Sequence, residues 1–319
     1  MIPALVLTAG LATRLRPLSL VRAKAAVPVA GEPLARRILR QLAASGVTDA
    51  VLNLHHLPHT LTAVVGDGSD LGIRVRYSWE MPVLGSAGGP RHALPLLGHP
   101  TFLIVNGDTL TDVDIASLVA GHHRSGALVT MAVIPNAEPG KYGGVLAGGD
   151  GIVTGFARRG SAEGSYHFVG VQVAQAEAFA ALEDGVPAES LRALYPMLMQ
   201  RRRGAIRVHL TSAEFHDIGT PDDYLRTSLL LASRERHGRT PGPPAQGARV
   251  RIAPGADVHD CVLWDDVVVG EGASLRQCVV TDGAHVPADT SWFGVAIRKV
   301  HGELAPGERR IGDLAIASL

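Results

Sequence analysis

The sequence predicts an α/β domain on a mostly parallel mixed sheet, followed by a short left-handed β-helix. Three observations carry this expectation. Over the first two thirds, short apolar runs alternate with amphipathic helical patterns, the arrangement of repeated β-α units. The texture then changes at Arg239-Thr240-Pro241-Gly242-Pro243-Pro244-Ala245-Gln246-Gly247, a linker by composition. Beyond it, Gly255-Ala256-Asp257-Val258-His259-Asp260-Cys261 aligns with Gly272-Ala273-Ser274-Leu275-Arg276-Gln277-Cys278, a shift of 17 residues.

Element by element, Pro3 to Leu7 reads as a buried strand that stops at Thr8-Ala9-Gly10. Pro33 to Ser45 places Leu34, Ile38, Leu39 and Leu42 on one helical face and ends at Gly46. Ala50 to Leu54, Ile73 to Trp79, Thr101 to Val105 and Ala127 to Ile134 follow as strands, with hairpin-like turns near Gly143-Gly144 and Gly149-Asp150-Gly151. Thr220-Pro221-Asp222-Asp223 opens a helix expected to reach about Glu235, with a capping threonine and proline at the first helical position. In the C-terminal part, Ile252, Val258, Trp264, Val269, Leu275 and Val286 recur about every six residues or a small multiple of six. Three such hexads make one coil, which stacks Cys261 close to Cys278. The expected domains are 1–232, the α/β domain; 233–247, linker; 248–300, β-helix; and 301–319, a C-terminal tail.

Composition limits what the chain does. Its 319 residues carry no formal net charge and are 46% hydrophobic, an ordinary soluble globular balance. Without a basic block there is no electrostatic footprint for nucleic acid or an anionic membrane. The apolar run Met1 to Leu7 is too short for a signal peptide and lacks a basic flank, and no run reaches the roughly 20 residues of a membrane span. Two cysteines make no disulfide framework, so a cytoplasmic location is expected. Positive charge is almost all arginine. The only lysines are Lys24, Lys141 and Lys299.

That makes Lys24 conspicuous. It follows Leu7-Thr8-Ala9-Gly10-Leu11-Ala12-Thr13-Arg14-Leu15-Arg16-Pro17-Leu18-Ser19 and precedes Val27-Pro28-Val29-Ala30-Gly31-Glu32-Pro33-Leu34. Small residues after a buried strand let backbone N–H groups approach phosphate oxygens. Arg14 suits a bidentate grip on the β and γ phosphates, and Lys24, a compact charge, suits the α-phosphorus. Together these segments resemble the signature of the sugar-1-phosphate nucleotidyltransferase family, closest to mannose-1-phosphate guanylyltransferase-like and N-acetylmuramate-1-phosphate uridylyltransferase-like members.

The resemblance implies a Rossmann-like catalytic domain, an NTP and a sugar 1-phosphate as substrates, and Mg2+ as cofactor. It implies catalytic roles for Arg14, Lys24, Asp108 and Asp217. Asp108 in Asn106-Gly107-Asp108 and Asp217 in Asp217-Ile218-Gly219-Thr220-Pro221 match the family's metal-binding aspartates. It assigns Leu7, Ala9, Gly10, Thr13, Arg14, Gly85, Gly88 and Asn106 to the nucleotide. Leu84-Gly85-Ser86-Ala87-Gly88 resembles the base-reading loop of the guanylyltransferases, which favours GTP. The segments around Gly66-Asp67-Gly68 and Leu94 to Gly98 are similar to the uridylyltransferases instead. Tyr142, Gly143, Arg158 and Gly170 are assigned to the sugar phosphate.

Departures from the family pattern are equally specific. Ala12 and Ala23 stand where glycine and proline are usual. Alanine lacks glycine's freedom at positive φ, so Ala12 is expected to be conventional or slightly strained. The usual Phe-x-Glu-Lys-Pro reads Phe156-Ala157-Arg158-Arg159-Gly160, and Asn-Ala-Gly reads Phe168-Val169-Gly170, which points to a different sugar, to recognition by backbone and water, or to an idle site. The expected reaction is nucleotidyl transfer from an NTP, GTP favoured, to a mannose-1-phosphate-like sugar. The alternatives are a UTP-dependent enzyme on an amino-sugar 1-phosphate, or a silent sensor of nucleotide sugars. Asp112 and Asp114 are expected to cap the next helix, and His122-His123 to be a solvated helix end. His55-His56-x-x-His59 is no zinc motif, because Pro58 breaks the helix. The β-helix, too short for acyl transfer, is expected to pack on the catalytic domain or a second copy of the chain.

Overall fold

The structure is a computed structural model that describes residues 2–235 and 245–319. Most of the expected linker, residues 236–244, lies outside the described residues. The chain divides into two compact units. One comprises residues 1–10, 38–58 and 65–216; the other comprises 11–37, 59–64 and 217–319. The second unit thus gathers the segment around Arg14 and Lys24 with the β-helix, a grouping that differs from the division expected from sequence. Among the described residues no helix is long and apolar enough to cross a membrane.

The first unit is built on a nine-stranded mixed sheet. Its centre is parallel: Ala4–Leu7 lies between Asp49–Leu54 and Thr101–Asn106, with Leu5 opposite both Val51 and Ile104. Arg74–Trp79 extends this side, in parallel with Asp49–Leu54. Tyr166–Gln175 turns the other side antiparallel, pairing Thr101–Asn106 and Val129–Pro135. The strands at the centre are apolar on both faces because helices cover both. Leu5, Val51, Phe102, Ile104, Met131, Phe179 and Tyr195 form the packed interior. The expected hairpin is the antiparallel pair Gly144–Ala147 and Val153–Ala157.

In the second unit the 17-residue repeat closes into a left-handed β-helix with three faces. Asp257 pairs with Ser274 and Ser274 with Ser291; Arg251 pairs with Val268 and Val268 with His285, every step 17 residues. Cys261, Leu263, Val269, Leu275, Cys278, Val280 and Val286 fill the interior. Cys278 N–H donates to Cys261 Sγ at 3.4 Å, so the two thiols stack on successive coils. The corners explain the rest of the repeat. Arg249, Asp266 and Gly283 form one column of positive-φ residues; Gly255, Gly272 and Asp289 form another, and Asp260, Gln277 and Gly294 a third. Every coil therefore turns through left-handed backbone at the same three places.

Two readings need correction. Trp264 is fully buried yet does not join the coil interior; it packs on Tyr224 of the helix Pro221–Glu235 at 6.3 Å and donates to its hydroxyl at 2.7 Å. Residues 301–319 are no simple tail. Leu314–Ser318 pairs antiparallel with Val295–Lys299 and with Arg309–Ile311, closing the end of the coil sheet, and Ile316 caps its apolar interior. A buried ion pair, Arg298 to Glu308, holds that hairpin.

Candidate functional site

In the first unit the loop after the first strand is fixed by a buried polar network. Asn53 Oδ1 accepts from Thr8 N–H at 2.5 Å and from Ala9 N–H at 3.2 Å. Its amide donates to Glu80 Oε1 at 2.6 Å, while Glu80 Oε2 accepts from Leu84 N–H at 2.8 Å. Asn53 and Glu80 are 3% and 1% exposed, so both carboxylate oxygens are satisfied without water. The N–H of Ala9 is therefore spent inside the protein. Exposed residues begin at Gly10 and include Leu11, Thr13 and Arg14, with Ala12 half-buried among them.

At the end of Thr101–Asn106 the chain passes very close to the first strand. Gly107 N–H donates to Leu7 O at 2.9 Å, and a Cβ on Gly107 would meet Leu7 O at 2.5 Å. Only glycine fits there, which places half-buried Asp108 directly after the crossing. Gly170, at φ 87°, lies against Asn106 and Thr109, so the structure brings together residues assigned separately to nucleotide and sugar. Tyr142, His167 and Phe215 form an aromatic cluster, with Tyr142–His167 and His167–Phe215 centroids each 4.4 Å apart. Both His167 ring nitrogens are buried without a hydrogen-bond partner. Burial pushes its pKa down to about 4, so the ring is neutral at pH 7. Arg158 is exposed.

Gly85 and Gly88 open the helix Gly85–Leu97. A Cβ on Gly85 would meet Ala188 O at 2.8 Å, and one on Gly88 would meet Val186 O at 2.7 Å. Their small size therefore lets residues 186–189 dock on the helix start, where Ser86 Oγ donates to Glu189 at 2.9 Å. Two histidine readings separate here. His122 is buried at 1% exposure against Thr130 and Gln175, and only His123 is solvated. Asp114 caps its helix by accepting from Ser117 N–H, and Asp112 accepts from Glu214 N–H.

In the second unit, Ala12 takes φ 48°, ψ 43°, the left-handed conformation that glycine adopts freely. For alanine this costs about 1–2 kcal/mol. The strain is held by its own carbonyl, which accepts from Ser19 Oγ at 2.9 Å and Leu15 N–H at 3.0 Å. Arg14 sits exposed in the turn Thr13–Leu15, and Lys24 half-buried in the turn Lys24–Ala26. Asp217 is half-buried, and a Cβ on Gly219 would meet its carboxylate at 2.9 Å. Thr220 Oγ1 caps the next helix by accepting from Asp223 N–H at 3.1 Å, as expected.

The profile of the nucleotidyl transferase family matches residues 3–234. The chain belongs to that family. A second match, residues 246–296, is to the GlmU-like C-terminal hexapeptide family. The resemblance read from the sequence to sugar-1-phosphate nucleotidyltransferases is borne out, and the chain is an enzyme of that class. A mannose-1-phosphate guanylyltransferase of Mycobacterium tuberculosis is 29% identical over 90% of this chain and 82% of its own length. An N-acetylmuramate alpha-1-phosphate uridylyltransferase of Neisseria meningitidis is 33% identical over 68% of this chain and 93% of its own. The crystal structure of HddC from Yersinia pseudotuberculosis shares the fold at TM-score 0.64 and 20% identity, covering 72% of this chain and 100% of that one.

The two aspartates matched to the family's metal ligands are described each within its own unit. Among the described residues no group of three or more His, Cys, Asp or Glu side chains forms a closed cage. Asp108 and Asp217 are both half-buried carboxylates, one in each unit. Each is a hard oxygen donor, the ligand type that magnesium takes, whereas zinc takes nitrogen and sulfur as well.

Proposed function

We propose that the enzyme transfers a guanylyl group from GTP to mannose 1-phosphate, giving GDP-mannose and pyrophosphate. The observation that carries this reading is the reach of the likeness. The guanylyltransferase relative matches 90% of the chain, well past the catalytic domain, whereas the uridylyltransferase relative matches 68%. The 33% identity of the latter favours, as second reading, UTP with an amino-sugar 1-phosphate.

The chemistry needs no side-chain nucleophile. A sugar phosphate is already anionic, so its oxygen attacks the α-phosphorus in line and the pyrophosphate oxygen leaves. The exposed guanidinium of Arg14 neutralises the β and γ phosphates as they depart. Lys24 steadies charge on the α-phosphoryl oxygens. Gly10 and Thr13 offer backbone to the triphosphate, and Asn106 lies toward the nucleoside. Gly85 and Gly88 belong to the nucleotide site, in the first helical turn, beside which the base is read. Tyr142, Gly143, Gly170 and Arg158 receive the sugar phosphate. Asp108 and Asp217 would hold Mg2+, which neutralises phosphate charge when bound.

In steady-state kinetics with mannose 1-phosphate, kcat/KM for GTP is expected to exceed that for UTP by at least about tenfold, or ~1.4 kcal/mol. The opposite order, with N-acetylmuramate 1-phosphate as the better acceptor, selects the second reading.

A further inference from the structure

Between Arg14 and Lys24, the side chain of Arg22 leaves the loop and reaches the β-helix. Arg22 Nε donates to Asp282 Oδ2 at 2.7 Å, and its Nη2 donates to Asp282 Oδ1 at 2.7 Å and Asp265 Oδ2 at 2.6 Å. Asp265 and Asp282 are 17 residues apart and occupy the same place on successive coils, joined by Asp265 N–H to Asp282 at 3.2 Å. The guanidinium also lies 5.4 Å over the Trp264 ring and is only 11% exposed. From Trp264 the contact continues through the Tyr224 hydroxyl, which donates to Pro28 O at 2.5 Å.

We propose that the β-helix is a brace for the phosphate-handling segment, with Arg22 as the positioning residue that transmits it. The inference rests on the roles proposed for Arg14 and Lys24. The path on either side of Arg22 is short and made of hydrogen bonds. Toward Arg14, Arg22 N–H donates to Leu18 O at 3.3 Å, and the neighbouring Ser19 ties to the Ala12 carbonyl. Toward Lys24, Ala23 N–H donates to Thr60 Oγ1 at 3.0 Å and Ala26 N–H to Ala23 O at 2.7 Å. The segment is thus pinned at Arg22 to two stacked aspartates and at Pro28 to the Tyr224–Trp264 pair. A planar guanidinium bridging two carboxylates fixes orientation as well as distance, which a lysine ammonium does not. Catalysis by positioning makes such fixing kinetic: a displacement of about 1 Å can cost about 100-fold in rate.

The test is a double-mutant cycle on the full chain with Arg22→Gln and Asp282→Asn, read at saturating substrates well below the melting temperature. Each single variant is expected to lower kcat about 10- to 100-fold. The double variant is expected to be no slower than the worse single one, because both cut the same link. Trp264→Phe, which keeps the packing but loses the hydrogen bond to Tyr224, gives a smaller kcat loss in the same direction and covers the case in which Arg22→Gln fails to fold. Folded variants with kcat within twofold of wild type, whatever their melting temperature, overturn the brace, as do losses that multiply in the double variant. Wild-type protein that makes no nucleotide sugar from any tested pair overturns the site reading itself, and the brace with it.

Discussion

Replacing Lys24 by alanine lowers turnover about 10²–10³-fold, equivalent to about 2.7–4 kcal/mol of transition-state stabilisation. The chain spends lysine at only three places, and this one stands half-buried in a turn whose neighbours Ala25 and Ala26 are fully enclosed. The turn is held by backbone bonds, Ala26 N–H to Ala23 O and Val27 N–H to Lys24 O at 3.3 Å, and alanine preserves both. The fold should therefore survive, with an unchanged circular dichroism spectrum. Because the lysine acts on charge that develops during transfer, kcat falls more than the NTP KM rises. Wild-type kcat in a folded Lys24→Ala chain contradicts the assignment.

The second large effect is expected from Asp217→Asn. Asparagine keeps the shape that lies over Gly219 and leaves the backbone carbonyl free to accept from Thr227 Oγ1 at 3.2 Å. It removes the negative charge, and with it a hard oxygen donor for a divalent ion. Turnover is expected to fall by roughly two orders of magnitude, and the residual rate to stop rising with millimolar magnesium, while the melting temperature changes little. A variant that saturates at the wild-type magnesium concentration with wild-type kcat shows that Asp217 is no ligand.

Much of the architecture was legible because it is periodic or local. The 17-residue shift between Gly255 and Gly272 is a coil, and the strands it predicts pair in that register. Thr220 and Asp114 announce caps through residues three positions away. What stayed hidden depends on partners distant in sequence. Arg22 looks like any loop arginine, since its two aspartates lie 243 and 260 residues further on. Trp264 fits the six-residue period yet points outward, because Tyr224 offers a hydroxyl that the apolar coil interior lacks. Asn53 and Glu80 stand in unremarkable strand ends, and only the fold brings them to Thr8 and Ala9. The positive φ of Ala12 was foreshadowed by the glycine usual at that place, but the bond from Ser19 that holds it was not. Gly85 and Gly88 read as ligand contacts in the sequence; what the structure shows at both is the close docking of residues 186–189.

Transfer to the sugar phosphate is expected to be direct, without a covalent nucleotidyl-enzyme. Rapid-quench measurement of pyrophosphate from GTP and magnesium, with and without mannose 1-phosphate, tests it most directly. Direct transfer gives no pyrophosphate from the nucleotide alone and stoichiometric pyrophosphate and GDP-mannose once the sugar phosphate is added. A burst approaching one pyrophosphate per chain in the absence of any sugar phosphate would contradict it.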